Sequence, residues 1–234
     1  MRVMTWNCAG GFHKKAPQLL AQSPDIAVIQ EVLEQDSDAL GPEYDAYWIG
    51  RSGSKGLLVS AKPQYALSIT AKTKAPYLAE FIARTGKETL FGTAVWSVPE
   101  AARNYLKTVC DGLDELGQRP PTDGIQLMLG DFNASPVFDA KNTKINQFRH
   151  LQDRMKQRGL ESLWHDHSGE SLGQETTATF FMYRHQDKPY HLDYIFGCEA
   201  ARTALKAIEI GKHADWCAEW SDHVPIIADF QMSD

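Results

Sequence analysis

Short runs rich in β-branched and aromatic residues recur along the whole chain, and each is closed by a turn signal before it can lengthen. They read RVMTWNCA, DIAVIQEV, YDAYWIG, GLLVSA, YALSIT, YLAEFIAR, ETLFGTAVWSV, IQLML, TATFFMY, PYHLDYIFG, TALKAIEIG and VPIIADF. Such lengths and spacings suit strands of antiparallel sheets. The stretch KKAPQLLAQS between the first two runs reads as a short helix, so a strand, a crossover and a second, buried strand are expected at the start. Two later stretches carry helical periodicity. PEAARNYLKTVCDGLDELG aligns Ala102, Tyr105, Leu106, Val109, Leu113 and Leu116 in an apolar stripe, with Pro99 suited to a first turn and Gly117 to a C-cap. KINQFRHLQDRMKQRGL repeats the pattern with Ile145, Phe148, Leu151 and Met155. No repeat, low-complexity tract or linker interrupts the chain, so residues 1–234 are expected to form one domain. Many strands with helices over their outer faces predict an α+β sandwich of two packed sheets.

A chain of 234 residues that is 43% hydrophobic can bury such a core. Its 24 basic against 30 acidic side chains give a formal charge of −6, without the Lys and Arg excess of a nonspecific nucleic-acid binder. A polyanionic substrate therefore needs local help, which bound divalent cations can supply by reversing the sign of a carboxylate-lined site. The start, MRVMTWNCAGGF, has no secretory apolar core, and no window approaches the roughly 20 apolar residues of a membrane span. A cytoplasmic location away from membranes is expected. Cys8, Cys110, Cys198 and Cys217 are far apart, with no CxxC pair, and read as reduced, mostly buried thiols.

The IQLML run stops abruptly at Asp131, Phe132 and Asn133. Asp and Asn are ordinary turn residues because they bond their own backbone, so one such ending says little. The same chemistry recurs, however. Asn7 ends the first run and Glu31 the second, while Asp222 and His223 immediately precede the last. If these ends meet on one rim of the sandwich, they make a pocket of hard oxygen donors with one imidazole. That set suits magnesium or manganese better than zinc. Magnesium takes only one or two protein carboxylates, so Glu31 with Asp222 or Asp131 is sufficient. Such an ion polarises a phosphoryl oxygen and lowers the pKa of an attacking water. Asp131 can accept the water's proton while the Asn133 amide orients it, because residues two apart on an extended segment point the same way.

TWN at Thr5–Asn7, IQE at Ile29–Glu31, GDFN at Gly130–Asn133, LDYIF at Leu192–Phe196 and SDH at Ser221–His223 resemble the signature blocks of the endonuclease/exonuclease/phosphatase superfamily. Their order fits, and they reach from the first strand candidate to the last. The resemblance implies a four-layered α/β/β/α sandwich of two mainly antiparallel sheets, as in the deoxyribonuclease I-like fold, and phosphoester hydrolysis with Mg2+ or Mn2+. It makes Glu31 the principal metal ligand, with Asn7 and Asp222 completing or shaping the metal site. Asp131 and Asn133 would position and deprotonate the water, His223 would contact the scissile phosphate, and Asp193 would hold its imidazole. Small bacterial members with similar AVW and PYHxDY blocks look nearest.

One departure stands out: Trp96 in TAVWSVPEA falls where many relatives carry His or Tyr. Indole cannot act as a general acid; it can donate one hydrogen bond, stack on a base or simply pack. The stretch FFMYRHQDKPYH mixes aromatic and basic residues between two strand candidates, and such a hairpin can stack bases and touch phosphates. Arg184 and His191 are its foremost phosphate candidates, because guanidinium and imidazole suit that group. Lys55 on the SGSKGL turn is a weak phosphate-loop candidate. HDH, His165 to His167, reads as an extended, solvated loop. The leading expectation is a phosphodiesterase or nuclease acting on DNA or RNA. A phosphomonoesterase on a small sugar, inositol or nucleotide phosphate is its enzymatic alternative. An inactive nucleic-acid-binding module is disfavoured by the retained Glu31, Asp131, Asn133, Asp193 and His223. No protein partner is inferable. Glu31→Gln and His223→Ala are expected to lower turnover without unfolding the chain, since both residues fall at strand ends on a rim.

Overall fold

The period-two alternation of the apolar runs is realised in two sheets, each with an inner and an outer buried face. The computed structural model of the chain describes residues 1–73, 78–86, 88–99, 105–117, 124–141 and 147–232. The first sheet contains β1 (Arg2–Asn7), β2 (Ile26–Leu33), β3 (Asp45–Ile49), β4 (Lys55–Ala61), β13 (Leu205–Ile210) and β14 (Ile226–Phe230), in the order β13-β14-β1-β2-β4-β3. The second contains β5 (Ala66–Lys72), β6 (Leu78–Thr85), β7 (Glu88–Trp96), β8 (Ile125–Asp131), β9 (Glu161–Ser162) and β12 (Asp193–Gly197), in the order β5-β6-β7-β8-β12-β9. Both sheets follow one plan. Each has a single parallel pair at its centre, β1 with β2 and β7 with β8, and its other pairings are antiparallel. Parallel strands need a crossover, and these carry α1 (Phe12–Leu20) and α2 (Tyr105–Leu116).

Three buried clusters give the layering. Val3, Val28, Leu57 and Val59 of the first sheet meet Phe81, Leu90, Leu127, Leu129 and Ile195 of the second in the central layer. The alternate residues Met4, Trp6, Ala27 and Ile29 face outward onto Phe12, Ala16 and Leu19 of α1 and onto Trp216. On the far side, Val95, Met128, Tyr194 and Phe196 meet Leu106, Val109 and Leu113 of α2 and Phe148, Leu151 and Met155 of α3 (Phe148–Gln157). The result is the expected four-layered α/β/β/α sandwich. α4 (Leu163–Ser168) and α5 (Glu199–Ala204) send Leu163 and Ala201 into the central layer, and α6 (His213–Trp216) supplies Trp216. α5 follows the C-terminal end of β12, the end away from Asp193, and so leaves the opposite rim free.

Gly130 is required by close approach. Its φ is +145°, and a Cβ there would lie 1.9 Å from the Val95 carbonyl oxygen across the parallel pair. Gly130→Ala is expected to lose at least about 2 kcal/mol of stability in urea unfolding, from strain and a backbone clash that cannot relax locally.

Several local expectations are revised. Only Phe180–Phe181 of TATFFMY is strand; it forms β10 and pairs with β11 (Pro189–Tyr190) in a separate two-stranded hairpin. Residues 199–204 are helix, so β13 starts at Leu205. The HDH stretch is the helix α4, in which the His165 side chain, 9% exposed, pairs with Glu175. Here tertiary burial overrides the polar look of the segment. Tyr105 is 40% exposed and so leaves the apolar stripe of α2, whereas Gly117 caps that helix at φ +75° with its N–H on the Leu113 carbonyl. Ala102 and Ile145 lie outside the described residues. All four cysteines are free thiols. Among the described residues, no helix is long and apolar enough to cross a membrane.

Candidate active site

At one end of the central layer the alternating apolar residues give way to polar ones on the same faces. Leu127 and Leu129 are followed at period two by Asp131, and Val3 by Thr5 and Asn7, all buried. Asn7 and Asp131 sit at the C-terminal ends of β1 and β8, and Asp193 at the N-terminal end of β12. Asp193 and Asp131 are register partners. Both sheets thus contribute to a single rim.

The GDFN segment is a turn and a site at once. The Asn133 N–H donates to Asp131 Oδ1 at 2.8 Å, which closes an Asx turn. Asn133 takes φ +48°, a left-handed conformation that Asn tolerates. Its Nδ2 then folds back onto Asp131 Oδ2 at 2.9 Å and the Ser97 carbonyl at 3.0 Å. Asn7 Nδ2 donates to the same Asp131 Oδ2 at 2.9 Å and to Glu31 Oε1 at 3.1 Å, bridging the sheets. The Asn7 Oδ1 accepts the Ala9 N–H at 3.0 Å.

Glu31 occupies a β-bulge. Gln30 pairs with Leu57 and Val32 with Gly56, so Glu31 has no partner in the ladder, and its φ is +65°. The extra residue turns a side chain that regular pairing would direct elsewhere toward the rim.

His223 Nδ1 donates to Asp193 Oδ2 at 2.9 Å. One ligand atom each from Asp131, Asp193 and His223 lies within 4.8 Å of the others. Burial works against the imidazolium, but the Asp193 and Asp131 carboxylates outweigh it and raise the His223 pKa to about 10. Burial, with the Asp193 charge, raises Asp131 to about 7 despite its N–H donors and His223. Among the described residues, the buried Asp193 Oδ1 has no hydrogen-bond partner. The Glu31 carboxylate, bridged to this cluster through Asn7, adds a hard oxygen donor to the same rim, and with the orphaned Asp193 oxygen this donor set fits a divalent cation.

The structure thus brings Asn7, Glu31, Asp131, Asn133, Asp193 and His223 together. Asp222 is half-buried beside His223, close enough to raise its pKa further, and its carbonyl accepts the Phe181 N–H at 2.7 Å. The three expected substrate contacts lie apart from this network. Trp96, 8% exposed, is Asp131's register partner and packs into the central layer. His191, 3% exposed, bonds the Thr177 carbonyl through Nδ1 and packs against Tyr194, with burial pushing its pKa down. Arg184 stands on the hairpin, its Nη2 on the Trp220 carbonyl at 3.4 Å. His223 is only 5% exposed, so its replacement is not structurally silent as a rim position would allow.

Sequence reasoning missed the groups that hold these residues. Thr179 Oγ1 accepts the N–H groups of Leu192 and Asp193 at 2.9 and 3.0 Å. Ser221 Oγ donates to the Asn7 carbonyl at 2.7 Å and accepts the His223 N–H at 3.1 Å. Ser221 stands within the SDH block, which was its only signal. Phe180 is bridged to His223 and its ring centroid lies 4.7 Å from the imidazole, so the hairpin is anchored on the site.

A two-sheet sandwich with this rim defines the deoxyribonuclease I-like class. The chain matches the Endonuclease/Exonuclease/phosphatase family over residues 4–223 and belongs to that family. Among solved structures, the 3'-5' exonuclease NExo from Neisseria meningitidis is similar at 20% identity, with a TM-score of 0.72, covering 99% of this chain and 100% of that one. A variant of the 3' phosphatase NExo from Neisseria bound to product DNA hairpin gives 18% identity, 0.72 and the same coverage. The AP endonuclease LMAP from Leishmania major gives 12% identity and 0.74 over 99% of this chain and 88% of that one. At these identities the likeness establishes the fold. No curated protein matches the sequence.

Proposed function

We propose that this protein is a divalent-metal-dependent phosphodiesterase that hydrolyses DNA or RNA by attack of a metal-activated water. The observation that carries the reading is the single hydrogen-bonded network running from Glu31 through Asn7 to Asp131 and Asn133, with Asp193 and His223 in the same buried cluster. Magnesium or manganese held by Glu31, with Asp222 beside it, would polarise a phosphoryl oxygen and lower the pKa of water. Asp131 accepts the water's proton, and Asn133 holds the carboxylate through two N–H donors. His223, protonated and oriented by Asp193 through Nδ1, offers its Nε2–H to the negative charge that grows on the phosphate. Trp96 walls the site and donates no proton to a leaving group. On the hairpin, Tyr183 is 75% exposed with Lys188 Nζ 5.5 Å from its ring centroid, and Arg184 follows it. An aromatic face flanked by cations suits a nucleic-acid strand.

The test is to incubate the purified protein with single- and double-stranded DNA, RNA, bis-p-nitrophenyl phosphate and p-nitrophenyl phosphate, under magnesium, manganese or chelator. Diester cleavage that chelator abolishes is the expected result. Cleavage of the monoester alone would reassign the protein to the phosphomonoesterases, and activity unaffected by chelator would remove the metal.

A further inference from the structure

Lys55, in the SGSKGL stretch, places its Nζ 2.6 Å from Glu31 Oε2. Oε1 of the same carboxylate already accepts from Asn7, so the ammonium occupies the freer oxygen. The contact is prepared by the fold. Lys55 opens β4 opposite Leu33, two positions beyond the bulged Glu31. Gly10, at φ +79°, leaves the lane through which the lysine reaches: a Cβ there would stand 3.1 Å from Lys55 Cε and 3.4 Å from Nζ. The lysine side chain is 42% exposed and the glutamate side chain 23%, so the ammonium can leave for solvent without dragging buried structure along.

We propose that Lys55 is an exchangeable counter-cation for the metal site: it neutralises Glu31 in the metal-free protein, is displaced when a divalent ion takes that carboxylate, and then serves the substrate's phosphate. The proposal rests on the reading of Glu31 as metal ligand. Two cations cannot share one carboxylate oxygen without repelling, so metal affinity is lowered by the strength of the lysine pair. Once released, Lys55 lies in the same field as Lys15 and Arg184. Burial, together with the charges of Arg184 and Lys55, holds the Lys15 ammonium below its ordinary pKa. An ordinary surface ion pair is the competing account, and it predicts no effect on metal binding.

The experiment is calorimetric titration of Mn2+ into the metal-free protein, comparing the wild type with Lys55→Met, Lys55→Arg, Glu31→Gln and Lys62→Met. Lys62 pairs with Asp25 at 2.9 Å and is the control for loss of a lysine ion pair. Lys55→Met should bind Mn2+ roughly three- to tenfold more tightly, the range set by an exposed pair worth up to about 1 kcal/mol plus removal of a like charge. Lys55→Arg and Lys62→Met should stay near wild type. At saturating Mn2+, Lys55→Met should raise KM for bis-p-nitrophenyl phosphate more than it lowers kcat. Unchanged or weaker Mn2+ binding by a Lys55→Met protein with a wild-type circular dichroism spectrum would overturn the exchange; if that variant misfolds, Lys55→Gln takes its place under the same criterion. Glu31→Gln separates the two layers of the argument: undiminished Mn2+ binding in that variant would overturn the metal reading itself.

Discussion

His223→Ala is expected to lower kcat of the metal-loaded protein by about three orders of magnitude, because it removes the donor aimed at the phosphate's developing charge. The same change should destabilise the metal-free protein at neutral pH by about 3 kcal/mol, since it leaves the buried Asp193 and Asp131 without their cation. The sign of the pH dependence follows from linkage. The folded pKa of His223 is raised from 6.5 to about 10, so its contribution is fully present below pH 6.5 and disappears as pH rises through 10. Urea unfolding of wild type and variant at pH 6, 8 and 10 should therefore give curves that converge at the alkaline end. A gap independent of pH would mean that His223 is not the buried imidazolium described here.

The second large effect is expected for Asp131→Asn. Turnover should fall by about three orders of magnitude, within the range for loss of a general base. This isostere is not innocuous in the fold either. Three N–H groups, Asn7 Nδ2, the Asn133 backbone and Asn133 Nδ2, converge on the two carboxylate oxygens. An amide in that position turns an NH2 toward at least one of them and leaves a buried donor unmet, at about 1–3 kcal/mol. Asp131→Asn should thus be less stable than wild type by thermal unfolding while its circular dichroism spectrum stays native. A variant retaining a tenth or more of wild-type kcat would exclude Asp131 as the proton acceptor.

Much of this was legible from the sequence, because the signals were periodic. Strands β1 to β8 fall on the apolar runs, and the polar residues that interrupt the alternation at Asn7, Asp131 and Asp193 are the ones that meet. What escaped was set by contacts between distant segments. Nothing local marks Glu31 as a bulge, since the slip is a relation between β2 and β4. The burial of His165 depends on Glu175 and Tyr194, and no residue within the HDH stretch announces it. The buttressing by Thr179 and Ser221 was equally hidden, because small hydroxyl residues are common everywhere and only the fold decides which backbone amides they reach. The strand candidate TATFFMY overran β10 because an aromatic-rich segment looks like a longer strand until the tight turn after Phe181 is seen.

The shared plan of the two sheets has a mechanical consequence. Asn7 and Glu31 ride on one slab and Asp131 and Asp193 on the other, so the proposed reaction centre is a seam and belongs to neither half alone. A slide of one slab past the other by about an ångström would part the amide bridge while every ladder stayed intact. Swaps of interlayer side chains far from the rim, such as Ile26 or Leu90, should accordingly disturb turnover before they register as unfolding.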